Sequence, residues 1–164
     1  MALLDAAGNQ ATYAELDALS IAFARQLAEA GVHPGGRVGL FAPKSIPLVA
    51  ALFGILKSGA AYVPVDPASP VARAGYIFGN CGVRAVIGSE ALLTKLRDAE
   101  TEGLPGSLQA AAGQLPLSVL LPAAAAATDA PPVPDLAYIL YTSGSTGKLK
   151  GVMHRHASAL ACVD

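Results

Sequence analysis

Charge is scarce in this sequence. Charged side chains make up 14% of its 164 residues, where about 25% is ordinary for a soluble domain. The 11 basic and 12 acidic residues leave a formal net charge of −1. There is no basic surplus to meet a phosphodiester backbone, so nothing points to nucleic-acid binding by charge. Cysteine is almost missing. Cys81 and Cys162 stand far apart without metal-ligand spacing, and read as buried or incidental thiols rather than as a disulfide or a zinc pair. Long apolar runs are missing too. The longest clean one, 46–56, is too short to cross a bilayer and opens Ile46-Pro47. No basic start followed by a long apolar stretch marks a secretory signal, and the expected location is cytoplasmic.

What is present is apolar. Hydrophobic residues reach 53% and the mean hydropathy is +0.48. With no membrane span to account for this, the expectation is that further protein covers part of the surface. The length itself suffices for one domain with a sizeable core.

Helix and strand signals alternate along the chain. Thr12 and Glu15 form a Thr-x-x-Glu capping box, and Leu16, Leu19, Phe23 and Leu27 follow at helical spacing until Gly31 and Pro34 end the run. Residues 37–42 read as a short buried strand. Ser45 can cap a second helix, apolar on most sides through Leu48, Val49, Leu52, Phe53 and Leu56, and so expected to be well buried; Gly59 stops it. Residues 61–65 form a strand that Pro64 places near an edge or a strand end. Pro70, after the cap candidate Ser69, reads as the first residue of a helix to about Asn80, closed by Gly82. Then come a strand over 84–88 and a helix opened by Ser89 through Leu92, Leu93 and Leu96. A Gly/Pro/Ala-rich loop contains a candidate strand at 117–121. Residues 123–134 are of low complexity, expected to be irregular and exposed. The repeated strand–helix–strand pattern implies an α/β fold with a mainly parallel sheet and helices on both faces.

The most informative segment closes this pattern. A buried-strand signal over 136–141 empties into Thr142-Ser143-Gly144-Ser145-Thr146-Gly147-Lys148-Leu149-Lys150-Gly151. Gly144 and Gly147 let backbone N–H groups approach an anion, while Thr142, Ser143, Ser145 and Thr146 add rotatable donors and a lysine adds charge. The set suits a polyphosphate. It lies beyond the carboxyl end of a strand, where ligands of such sheets bind. It is not a Walker A loop, since Leu149 follows Gly147-Lys148 and Thr142 stands five before Gly147. Nor is it a dinucleotide turn, since no glycine stands two before Gly144. A flexible Ser/Gly connector is the alternative reading of the same residues. A Rossmann oxidoreductase domain is disfavoured because the glycine-rich turn follows the last strand, not the first.

Tyr141 through Gly151 resembles the Tyr-Thr-Ser-Gly-Ser-Thr-Gly-x-x-Lys-Gly signature of the AMP-forming adenylate synthetases, which include acyl-CoA synthetases, luciferase and the adenylation domains of nonribosomal peptide synthetases. Leu56-Lys57-Ser58-Gly59-Ala60-Ala61-Tyr62-Val63-Pro64-Val65-Asp66-Pro67 is similar to the family's second core motif, and Ala11-Thr12-Tyr13-Ala14-Glu15-Leu16 to the short motif near its start. The resemblance implies that residues 1–164 are a partial, N-terminal AMP-binding domain ending after the phosphate loop, with later subdomains and the C-terminal domain absent. It implies an ATP-dependent ligase that activates an amino acid or another carboxylic acid as an acyl-adenylate. Mg²⁺ accompanies ATP, and coenzyme A or a carrier-bound phosphopantetheine takes the acyl group; a carrier protein is a possible partner. The nucleotide contacts would be Thr142, Ser143, Gly144, Ser145, Thr146, Gly147 and Lys150, with Lys148 at a variable, solvated position. No catalytic residue is assigned, and the fragment is not expected to turn over alone; a non-catalytic remnant that binds nucleotide weakly or serves as an interaction module is the alternative. Leu149 stands where the family usually has proline, and would leave the loop exit looser. His154, Arg155 and His156 form a basic cluster, with His156 where relatives often carry a histidine before a helix, a structural position more often than a catalytic one. Asp66 is expected to cap or turn the chain, Tyr62 and Tyr76 to pack, and His33 to lie exposed in its turn.

Overall fold

A computed structural model describes residues 1–99, 104–112, 115–123, 133, 135–143 and 149–161. A small antiparallel pair, β1 (Leu3–Leu4) and β2 (Gln10–Ala11), precedes the main body. Helix α1 (Tyr13–Glu29) starts on the full capping box: the Thr12 hydroxyl accepts from the Glu15 amide at 3.2 Å, and the Glu15 carboxylate accepts from the Thr12 amide at 2.8 Å. Strand β3 (Arg37–Phe41) is buried at every position. Helix α2 (Ile46–Lys57) is capped by Ser45, whose hydroxyl accepts from the Leu48 amide. Its buried stripe is narrower than its composition suggests. Ile46, Ala50, Ala51, Gly54 and Ile55 are buried, with Gly54 against α1, but Phe53 is 43% exposed.

Strand β4 (Ala61–Pro64) lies between β3 and a later strand, so Pro64 marks the strand's end and not the sheet's edge. Helix α3 (Val71–Cys81) has extended Pro70 as its N-cap, one residue earlier in role than expected, and Ser69 does not cap it. Gly82 closes it in the left-handed region at φ 59°, as anticipated. Strand β5 (Ala85–Gly88) and helix α4 (Glu90–Arg97) follow as read. Strand β6 (Gly106–Ala110) was not anticipated in its loop-like sequence; β7 (Ser118–Pro122) was, within one residue. Most of the low-complexity segment at 123–134 falls outside the described residues. Strand β8 (Leu136–Ser143) is longer than expected, and β9 (Leu149–Arg155) replaces what had read as loop. The short helix α5 (His156–Leu160) ends the described chain.

The main sheet has seven strands in the order β6-β7-β5-β3-β4-β8-β9. Its centre, β5-β3-β4-β8, is parallel. Both flanks are antiparallel, so the sheet is mixed around a parallel core. Side chains alternate between two apolar layers, as a sheet covered on both faces requires. Val38, Leu40, Ala85 and Ile87 meet α1 and α2 through Phe23, Leu27, Ala50 and Ile55. Phe41, Val63 and Val86 meet α3 and α4 through Ala74, Ile77, Phe78, Leu93 and Leu96. Phe78 is fully buried, which contributes about 1.5–3 kcal/mol. Its ring lies so close to β3 that a Cβ on Gly39 would stand 2.6 Å from Phe78 Cε1. Among the described residues no helix is long and apolar enough to cross a membrane.

Candidate functional site

The parallel strands β3, β4, β5 and β8 end on one edge of the sheet, the edge at which ligands of such sheets gather. At that edge β8 passes to β9 through residues 144–148. The two strands pair in register up to the connection: Tyr141 opposite Gly151, Thr142 opposite Lys150, Ser143 opposite Leu149. Paired residues of an antiparallel ladder share a face. Thr142 and Lys150 therefore stand side by side, both exposed, at the mouth of the connection. Gly144, Ser145, Thr146 and Gly147 lie outside the described residues, as does Lys148. The structure thus brings together two of the expected contacts and pairs the backbone of Ser143 beside them. Leu149 pairs with Ser143 and packs partly against the α3/α4 core.

Below the mouth, each face of the hairpin is pinned differently. On the α1/α2 face Tyr62, Tyr138 and His154 form a column across β4, β8 and β9, with ring centroids 5.2 and 4.5 Å apart and planes within 23° and 16° of parallel. Burial, and then the neighbouring Tyr138, push the Tyr62 hydroxyl's pKa above its ordinary value. On the other face the Tyr141 hydroxyl donates to Asn80 Oδ1 and accepts from the Cys81 thiol at 3.5 Å. Burial is the first cause, and the thiol contact the second, that raise Tyr141 well above the usual tyrosine range. Burial likewise raises the Cys81 thiol. His154 and Arg155 belong to β9, and His156 begins α5 rather than preceding it. The His156 amide donates to the Asp135 carbonyl at 2.9 Å. Asp135, at φ 63°, is a left-handed residue at the start of β8, a conformation aspartate tolerates better than most.

The other expectations divide. Asp66 makes a turn: its carboxylate accepts from the Ala68 amide and its carbonyl from the Ser69 amide, both at 2.8 Å. His33 is exposed. Tyr62 packs, whereas Tyr76 is 39% exposed. Cys81 is buried, and Cys162 is outside the described residues. No group of three His, Cys, Asp or Glu among the described residues could hold a metal ion.

Residues 1–164, the whole chain, match the profile of the family described as AMP-binding enzyme. The chain belongs to that family. Syringomycin synthase SyrB1 of Pseudomonas syringae pv. syringae is 42% identical to this AMP-binding chain over 152 residues, covering 93% of the chain and 24% of the synthase. Among solved structures, apo MatB from Rhodopseudomonas palustris aligns with TM-score 0.70 and 27% identity, over 97% of this chain and 33% of MatB. The nonribosomal peptide synthetase FmoA3, bound to α-methyl-L-serine-AMP, aligns with TM-score 0.65 and 30% identity over 91% of this chain and 16% of its own. The AMP-binding chain thus spans a third or less of the length of each of these relatives. The residues missed by sequence reasoning are Asn80, Asp135, Tyr138 and the pairing role of Gly151. Tyr138 is directly opposite Tyr62 on the adjacent parallel strand, a pairing set by the fold and not by local sequence.

Proposed function

We propose that this chain supplies the nucleotide-phosphate hairpin of an AMP-forming ligase, in which a carboxylic acid is activated as its adenylate. The observation that carries the reading is the pairing of Thr142 with Lys150 at the carboxyl edge of the parallel sheet, astride the glycine–hydroxyl connection. The family membership and the α-methyl-L-serine-AMP bound by the FmoA3 relative support it. In the reaction a carboxylate oxygen attacks the α-phosphorus of ATP and pyrophosphate leaves. Lys150 would place its ammonium against the β- and γ-phosphates, and Thr142 would offer its hydroxyl. Gly144, Ser145, Thr146 and Gly147, with the Ser143 position, would present amides and hydroxyls along the phosphate tail. The work of these groups is alignment and charge stabilisation; no side chain bonds covalently to substrate.

Mg²⁺ would arrive complexed to ATP, sharing the phosphate charge. The acyl group would pass to a thiol, of coenzyme A or of a phosphopantetheine on a carrier protein. The 164 residues are proposed to be one portion of an AMP-binding domain, inactive alone, with the acid pocket built by other segments. Calorimetric titration of the chain with Mg·ATP, beside an ATP–pyrophosphate exchange assay, tests this. Binding without exchange is expected. A charge-assisted contact is worth about 1.5–3 kcal/mol, so Lys150→Ala should weaken binding about 10- to 100-fold. Unchanged binding in that variant would overturn the assignment of Lys150. Absence of any binding by the chain would favour an interaction module instead.

A further inference from the structure

Glycine is a poor strand residue, yet Gly151 sits inside β9 directly opposite Tyr141. A Cβ there would stand 3.0 and 3.1 Å from Tyr141 Cε2 and Cζ, and 3.2 Å from Ile139 Cγ2. The tyrosine ring therefore borders the space a side chain would occupy. Its hydroxyl reaches Asn80 in the last turn of α3. That helix is itself fixed to the sheet, with Phe78 against Gly39 and its end locked by Gly82. A tyrosine hydroxyl is protonated at neutral pH, so the donor to Asn80 is present there. Tyr141 and Gly151 are the row immediately below Thr142 and Lys150.

We propose that Tyr141, with Gly151 under its ring and Asn80 on its hydroxyl, is a positioning residue that fixes the aim of the Thr142–Lys150 pair at bound phosphate. The inference rests on the phosphate reading above. Among the described residues β9 is the outermost strand of the sheet, paired with β8 alone. The Tyr141–Asn80 tie is a strut from the helix layer to the strand pair, set one residue from each phosphate contact. A cleft of about 220 Å³ beside the ring, lined in part by Arg37, Cys81 and Met153, gives a displaced ring somewhere to go. A side chain at 151 would therefore move the ring rather than break the sheet.

The test is titration of the chain and its variants with Mg·ATP and with inorganic tripolyphosphate, alongside thermal melts. Gly151→Val crowds the Tyr141 ring, so a glycine that only makes room for packing would shift the melt and leave binding unchanged. The proposal predicts retained stability with binding weakened about tenfold. Tyr141→Phe keeps the ring and removes the hydroxyl. With a net hydrogen bond at about 0.5–1.5 kcal/mol, it should weaken binding about 2- to 10-fold. Asn80→Ala should match it, and the Tyr141→Phe/Asn80→Ala double variant should be no worse than either alone. If Gly151→Val fails to fold, the two hydroxyl-pair variants decide. Variants that bind as tightly as the parent overturn the positioning role and leave the phosphate reading standing. A parent chain that binds neither probe overturns both.

Discussion

Gly54 and Gly79 are both helical glycines, and the structure predicts opposite outcomes for the same substitution. A Cβ on Gly54 in α2 would stand 2.5 Å from Phe23 Cβ, 2.8 Å from the Ser20 carbonyl oxygen and 3.3 Å from the Ala24 amide nitrogen. Two of these neighbours are backbone atoms of α1, which cannot rotate aside. A Cβ on Gly79 in α3 would meet nothing within 4 Å. Replacing a helical glycine by alanine gains about 0.5–1 kcal/mol of backbone propensity. At Gly79 that gain stands alone. At Gly54 it is opposed by overpacking of about 1–3 kcal/mol, towards the upper end because a whole helix must shift. Gly54→Ala should therefore lose about 1–2 kcal/mol net, and Gly79→Ala gain about 0.5–1. For a chain of this size each kcal/mol moves the midpoint by about 2–4 °C. Thermal melts by circular dichroism should show Gly54→Ala about 2–8 °C below the parent and Gly79→Ala about 1–4 °C above it. A Gly54→Ala melt at or above the parent would refute the close approach of α1 to α2.

Three further outcomes follow from the same layers. Thr12→Ala removes the cap hydroxyl of α1 and should cost about 1 kcal/mol in chemical denaturation, with phosphate binding unchanged. Phe78→Ala empties the space between α3 and β3 and should cost about 3–5 kcal/mol, enough to leave much of a marginally stable chain unfolded; a loss under 1 kcal/mol would contradict the burial described. Cys81 and Tyr141 are both raised above their ordinary values of 9.0 and 10.0 in the fold. In that range the unfolded chain loses these protons first, so stability should be intact below about pH 9 and should fall as pH climbs past it. A urea midpoint that stays level from about pH 8 to about pH 10.5 would count against the buried pair.

Much of the parallel core could be read from the chain because its signals are local. The capping box at Thr12, the run of Arg37 to Phe41 and the stop at Gly82 each act within a few residues. Strands β6 and β9 escaped because their pairing is set by tertiary partners. Gly106 and Gly151 argue against strand on propensity, yet β7 and Tyr141 hold them there. Phe53 looked buried because composition does not reveal which flank a neighbouring helix covers. The segment proposed to meet phosphate shows anion-suited residue types in sequence, its glycines, hydroxyls and Lys150. Its stem was not legible there, since Tyr141 meets Asn80 across 61 positions of sequence.

The most direct test is an amide-resolved NMR titration of the chain with Mg·ATP. The account predicts the largest shift changes at residues 142–147 and at Lys150, reproduced by tripolyphosphate and lost in Lys150→Ala. Changes centred elsewhere, or none at millimolar nucleotide, would contradict it.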